Sequence, residues 1–180
     1  MISKLKILPL IIVIMLYSCA YHDEYPKGWS PISNTAKLQC VDISGHYRNI
    51  GESETPNYQP MLSWKLFKSS EFSLDPTHVS FSFIENNKLK VTLWENGQEI
   101  FAKAFEKSSK GYFCEEGLIK IDTREYLNRD GVVGTEWHVL GFTKIDDDLI
   151  VKDENGAIGM MLLIPVAATG TNWYRFKDEN

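Results

Sequence analysis

The chain is short of basic charge: 19 lysines and arginines stand against 24 aspartates and glutamates in 180 residues, for a net charge of −5. That balance excludes the basic composition of a general nucleic-acid-binding protein, so no nucleic-acid partner is expected. Catalytic signatures are missing as well. No G-x-S-x-G elbow, Walker loop, G-x-G-x-x-G turn or H-E-x-x-H pair occurs, and no catalytic residue or cofactor is assigned. Histidines number only four, and none of His22, His46, His78 and His138 has a second histidine or a cysteine at metal-ligand spacing, so no metal site is expected. Asp146, Asp147 and Asp148 lack the spaced ligands and bend glycine of an EF-hand loop and read as a solvated turn. Carboxylates such as Glu52, Glu54, Glu115 and Glu116 read as surface charge, because a glycosidase pair is defined only by its separation in space. The longest apolar run, residues 7–16 (ILPLIIVIML), is about half of the roughly 20 residues a membrane-crossing helix needs. Internal repeats and low-complexity tracts are also absent from the sequence.

What remains is ordinary globular composition, 43% hydrophobic and 12% aromatic, with a secretory address in front. Lys4 and Lys6 precede the apolar run, Pro9 interrupts it, and the small residue Ser18 stands just ahead of Cys19. This is the n, h and c layout of a signal peptide over residues 1–18. Leu16, Ser18 and Cys19 resemble the lipobox of bacterial lipoproteins, with Tyr17 where that family usually has a small residue. The resemblance implies a diacylglycerol on the Cys19 thiol, cleavage before Cys19, acylation of the new amino group, and attachment to a membrane through that lipid. Ala20, where an aspartate would favour inner-membrane retention in that family, points to the periplasmic face of the outer membrane in a Gram-negative host. Removing Lys4 and Lys6 takes the net charge from −5 to −7, which disfavours attraction to anionic headgroups and leaves the lipid as the tether.

Residues 20–37, with Pro26, Gly28 and Pro31 and no sustained period, read as a linker following the lipidated residue; a flexible chain of that length spans about 21–25 Å. Residues 38–180 read as one domain whose grammar is β. Val79, Phe81 and Phe83 alternate with serines, and Leu89, Val91 and Leu93 alternate with Lys90 and Thr92. Asn96-Gly97 is a type I′ hairpin signal, returning residues 98–105 as a third strand. Further turns are expected at 115–117, 128–131, 146–148 and Asn155-Gly156. They bound strands at 118–126, 132–143, 149–153 and 158–166, with 43–48 and 172–176 at the two ends. Residues 158–166 (IGMMLLIPV) are apolar at both parities, the pattern of a strand buried on both sides, with Pro165 near its end. Only residues 61–68 (MLSWKLFK) look helical. The expected fold is all-β and mainly antiparallel: a meander barrel of about eight to ten strands with one short helix.

Cys40 and Cys114, left over once Cys19 is lipidated, form an even pair in a disulfide-permissive compartment and are expected to be bonded. Gly45-His46-Tyr47 resembles the G-x-W opening of lipocalins with Tyr for Trp, and Arg175 in the last strand resembles the arginine that family packs over the opening aromatic. The resemblance implies barrel closure by Gly45, Tyr47 and Arg175, with a cation–π contact between the last two. The wider pattern, ISGHYRNIGE after Cys40, MLSWKLF, YFCEEGLIKI and the closing segment 158–176, is similar to a group of small proteobacterial lipoproteins, which brings no activity with it. The expected function is therefore a non-enzymatic, lipid-anchored envelope protein presenting a binding domain to the periplasm. Two occupants stay open: a small hydrophobic ligand inside the barrel, or an envelope protein on which a barrel filled by Phe81, Phe83, Trp94, Trp137 and Phe142 docks.

Overall fold

The structure is a computed structural model and describes residues 19–22, 24–32, 40–55, 57–67, 75–85, 87–129, 132–161 and 164–179. The expected signal peptide over 1–18 lies outside the described residues, as do residues 23 and 33–37 of the expected linker. In chain order the elements are β1 (Cys19–His22), β2 (Gly45–Arg48), α1 (Leu62–Leu66), β3 (His78–Ile84), β4 (Lys88–Glu95), β5 (Gln98–Glu106), β6 (Tyr112–Glu115), β7 (Leu118–Arg129), β8 (Val132–Ile145), β9 (Asp148–Met161) and β10 (Ile164–Phe176). Among the described strands every ladder is antiparallel except β1 against β10.

Two sheets result, ordered β1-β10-β9-β8-β7-β6 and β2-β3-β4-β5. They meet at both seams through isolated bridges. Lys107 pairs with Tyr112 between β5 and β6, and Tyr47 pairs with Asp178 between β2 and the chain end. At the second seam the Arg48 amide donates to the Lys177 carbonyl at 2.9 Å. The architecture is thus an open, barrel-like meander with short seams in place of continuous ladders. Turn chemistry sets the register: Asn96 and Gly97 both have positive φ, as do Glu116 and Gly117, which is what two-residue hairpins matching the strand twist require.

Alternation places one side of each sheet in a shared core. Val79 and Phe81, Leu89, Val91 and Leu93, Ile119 and Ile121, Leu140 and Phe142, and Leu149 and Val151 are all buried in it. Tyr47, Phe81, Phe142 and Phe176 fill the space between the sheets, and Leu62, Leu66 and Phe67 of the α1 segment cover one end. Three residues expected in this core lie elsewhere. Phe83, at the outer end of β3, is exposed; Trp94 turns to the other face, where its Nε1–H donates to Ser80 Oγ at 2.7 Å; and Trp137 is only half-buried, over Gly156.

The expected turn at Asn155-Gly156 is not a turn. β9 runs through it, with Gly156 paired to Trp137 of β8. A Cβ there would come within 2.3 Å of the Trp137 ring, so the glycine makes room for a neighbouring indole and its backbone stays extended. Residues 158–166 are correspondingly not one strand: they close β9 and open β10, and Ile158, Met160, Met161 and Ile164 are exposed. Both strands, with β7 and β8, run on past the core as a four-stranded extension.

Candidate functional site

α1 and the segment before it build the wall of an open cleft at one end of the core, over the core-side face of the six-stranded sheet. Its volume is about 300 Å³, and it is lined by Tyr58, Gln59, Met61, Trp64, Lys65 and His138. The helix is only five residues long and is held by its surroundings. The Leu62 amide donates to the Asn49 carbonyl at 2.8 Å, the Ser63 amide to Asn49 Oδ1 at 2.8 Å, and Asn49 itself is buried. Leu62 and Leu66 then point into the core and Trp64 outward, 58% exposed. Periodicity finds this helix but leaves open whether Trp64 or Phe67 is buried; Phe67 is, by packing edge-on against Phe101 at 5.0 Å.

Beneath the cleft runs a chain of alternating charge. Asp153 of β9 is fully buried, and its two oxygens are shared: Lys65 Nζ donates to Oδ2 at 2.8 Å, and His138 Nδ1 meets Oδ1 at 3.1 Å. Lys65 also donates to Tyr174 Oη at 3.2 Å and lies 4.8 Å over that ring, while His138 Nε2 lies 3.4 Å from Glu136. Burial alone would raise the Asp153 carboxyl, but the hydrogen bonds and charges of His138 and Lys65 outweigh it and hold it below the usual range. The hydrogen bond to Asp153 raises His138 above the ordinary imidazole value despite desolvation. Burial pulls the Lys65 ammonium down, and the Asp153 carboxylate more than offsets this.

The arrangement offers an aromatic and apolar wall, a cation and an imidazole edge. A His–Asp pair is also the orienting half of a nucleophilic site; among the described residues lining this cleft there is no serine, threonine or cysteine. A buried carboxylate between two cationic partners is, physically, a way to hold His138 and Lys65 in fixed positions at the cleft floor. The sequence reading passed over Lys65, Asp153 and Tyr174. They lie 88 and 21 residues apart, and the only local signal was an aspartate at an inward parity in β9.

The residues singled out from sequence lie in other parts of the fold. Cys19 opens β1 and pairs with Ala168 on the edge of β10. Cys40, before β2, and Cys114, in β6, stand at bonding distance with Cα atoms 5.9 Å apart. Gly45 lies beneath the Tyr47 ring, which a Cβ would meet within 2.8 Å, and the buried Tyr47 hydroxyl donates to the Ile43 carbonyl at 3.0 Å. Arg175 does not reach Tyr47. It lies on the opposite side of β10 from the core, where its guanidinium sits 5.2 Å over the Trp29 ring and its Nε donates to Glu52 at 2.9 Å. The cation–π contact therefore pins the N-terminal segment to β10: Tyr25 packs edge-on against Trp173 at 5.0 Å, and Ser30 Oγ donates to Asp146 at 2.6 Å. The described stretches of the expected linker, 19–22 and 24–32, are laid along the domain in this way. His46 and His78 stack at 5.0 Å on the four-stranded sheet, and His138 lies on the other sheet. No group of three or more metal-ligating side chains occurs among the described residues.

Compared with known protein families, curated proteins and solved structures, the chain shows no significant match to any of them.

Proposed function

We propose that the chain is a non-enzymatic lipoprotein of the bacterial envelope, held through lipid on Cys19 at the periplasmic face of a membrane, the outer membrane in a Gram-negative host. Its binding site in this reading is the open cleft beside α1 and not the barrel interior. The observation that carries it is the contrast between the two spaces. Tyr47, Phe81, Phe142 and Phe176 are fully buried between the sheets, whereas Tyr58, Met61 and Trp64 border an open cleft above His138 and Lys65. A ligand with an apolar body and one polar end suits this lining: the body covers the exposed Trp64 and Tyr58, and the polar end meets the imidazole of His138. An apolar side chain of an envelope protein fits the same description, because exposed Trp and Tyr beside a cleft are the residues that anchor interfaces.

Native mass spectrometry on the full chain extracted from membranes separates these occupants. The expected result is a small bound mass that is lost on denaturation and missing from Trp64→Ala. A bare wild-type chain whose Trp64 position crosslinks to one envelope protein would assign the cleft to docking. A bare chain without such a crosslink would overturn the cleft as the site.

A further inference from the structure

The four-stranded extension ends in a surface that residue type and exposure together make unusual for a water-facing sheet. Tyr126, Val133, Ile158 and Met160 lie on one face of it, in two neighbouring rungs, and Met161 and Ile164 lie on the other. All six are exposed, Tyr126 by 71% and Ile158 by 58%. No Asp, Glu, Lys or Arg occurs from Asn155 to Tyr174, the β9–β10 part of the extension, while β7 adds Arg129 on the rung of Val132, Met161 and Ile164. An apolar stretch that a sequence reading expects to be buried on both sides is thus bare on both sides at one height.

The position of Cys19 says what covers it. β1 runs parallel to β10 from Cys19, opposite Ala168, to His22, opposite Thr171, and so leads away from the tip towards the barrel. Cys19 is therefore the tip-facing end of β1. Ile164 lies four residues from Ala168, roughly 13 Å at about 3.3 Å per residue. A protein partner resting on one face would leave the other wet, whereas lipid surrounds both.

We infer that the apolar end of β8–β10 seats in the interfacial layer of the membrane that holds the Cys19 lipid, so that lipid and sheet form one attachment. This rests on the lipid-anchor reading of Cys19. Two features fix the depth at the interface and not the hydrocarbon centre. Among the described residues no strand pairs with β10 from 164 to 167, and an open sheet edge is not tolerated in the hydrocarbon core. Glu136 sits on the rung of Ala157 and Ala168, level with Cys19, which places the headgroups at that rung. With the acidic charge of the chain, the attachment depends on apolar contact and resists salt.

The test uses the full chain in vesicles of phosphatidylethanolamine and phosphatidylglycerol, with a polarity-sensitive fluorophore on Met160→Cys, on Ile158→Cys as a second tip site, and on Ser82→Cys of β3 as reference. Nitroxide on the upper acyl carbons should quench both tip probes several-fold more than the reference, unchanged in high salt. Tip probes quenched by aqueous iodide as strongly as Ser82→Cys, on a chain that still floats with the vesicles, would overturn the insertion and leave the anchor standing. Tip probes shielded from both quenchers would put a protein, a second copy included, on the face and also overturn it. An intact mass without acyl groups would instead retire the anchor. On that unacylated chain, vesicle-dependent quenching at the tip supports the insertion and its absence overturns it.

Discussion

Asp153 is the residue on which most of the cleft depends, because it is fully buried and balanced by its neighbours Lys65 and His138. Replacing it with Ala leaves Lys65 without its carboxylate and His138 with Glu136 alone, and the expected destabilisation is about 3–5 kcal/mol by denaturant unfolding. The pH dependence follows from the two shifts. His138 has its value raised by the bond to Asp153, so that contribution is complete below the ordinary imidazole value and fades as pH rises through the raised one. Asp153 has its value lowered by His138 and Lys65 against burial, so its contribution is complete above the ordinary carboxylate value and is lost as pH falls through the lowered one. Thermal melts across pH should show a plateau between these limits, and His138→Asn should lose the alkaline arm while keeping the acid one. An unchanged alkaline arm in that variant would mean that His138 does not carry it.

At the scale of elements, β9 is the strand whose continuity most affects the architecture. Gly156→Ala puts a methyl against the Trp137 ring, which must shift. The expected cost is about 1–3 kcal/mol, read as a lower unfolding midpoint with altered Trp fluorescence. A neutral substitution would show that the indole is not fixed there. The same position shows where sequence reading stops. The β3–β4–β5 meander was legible because alternation and the Asn96-Gly97 turn agree. Asn155-Gly156 carries the same dipeptide, and there a cross-strand partner 19 residues away in the chain overrides the local preference. Residues 158–166 failed for a related reason: composition reports that a segment is apolar, not whether protein or something else covers it. The cleft was the least legible part, since its helix, its histidine and its buried aspartate come from α1, β8 and β9 and no short motif joins them.

For the whole molecule, two attachments organise the chain. Cys40 and Cys114 stand at bonding distance between the segment entering the four-stranded sheet and a strand of the six-stranded one, with a sequence separation of 74. A bond there constrains the unfolded chain by about 4.5 kcal/mol in the chain-entropy account. Reduction, or Cys40→Ala with Cys114→Ala, should lower stability by that order in denaturant; a change under about 1 kcal/mol would mean that the fold is set without it. The second attachment is the N-terminal segment, which runs beside β10 from Cys19 and is locked at its far end by Arg175 over Trp29. In the proposed lipid-anchor reading, this segment is the link between membrane and domain. The most direct test is the denaturing intact mass of the full chain purified from membranes. The account predicts a polypeptide that begins at Cys19 and carries diacylglyceryl mass on that residue. A chain that retains residues 1–18, or one that begins elsewhere with an unmodified Cys19 thiol, would contradict it.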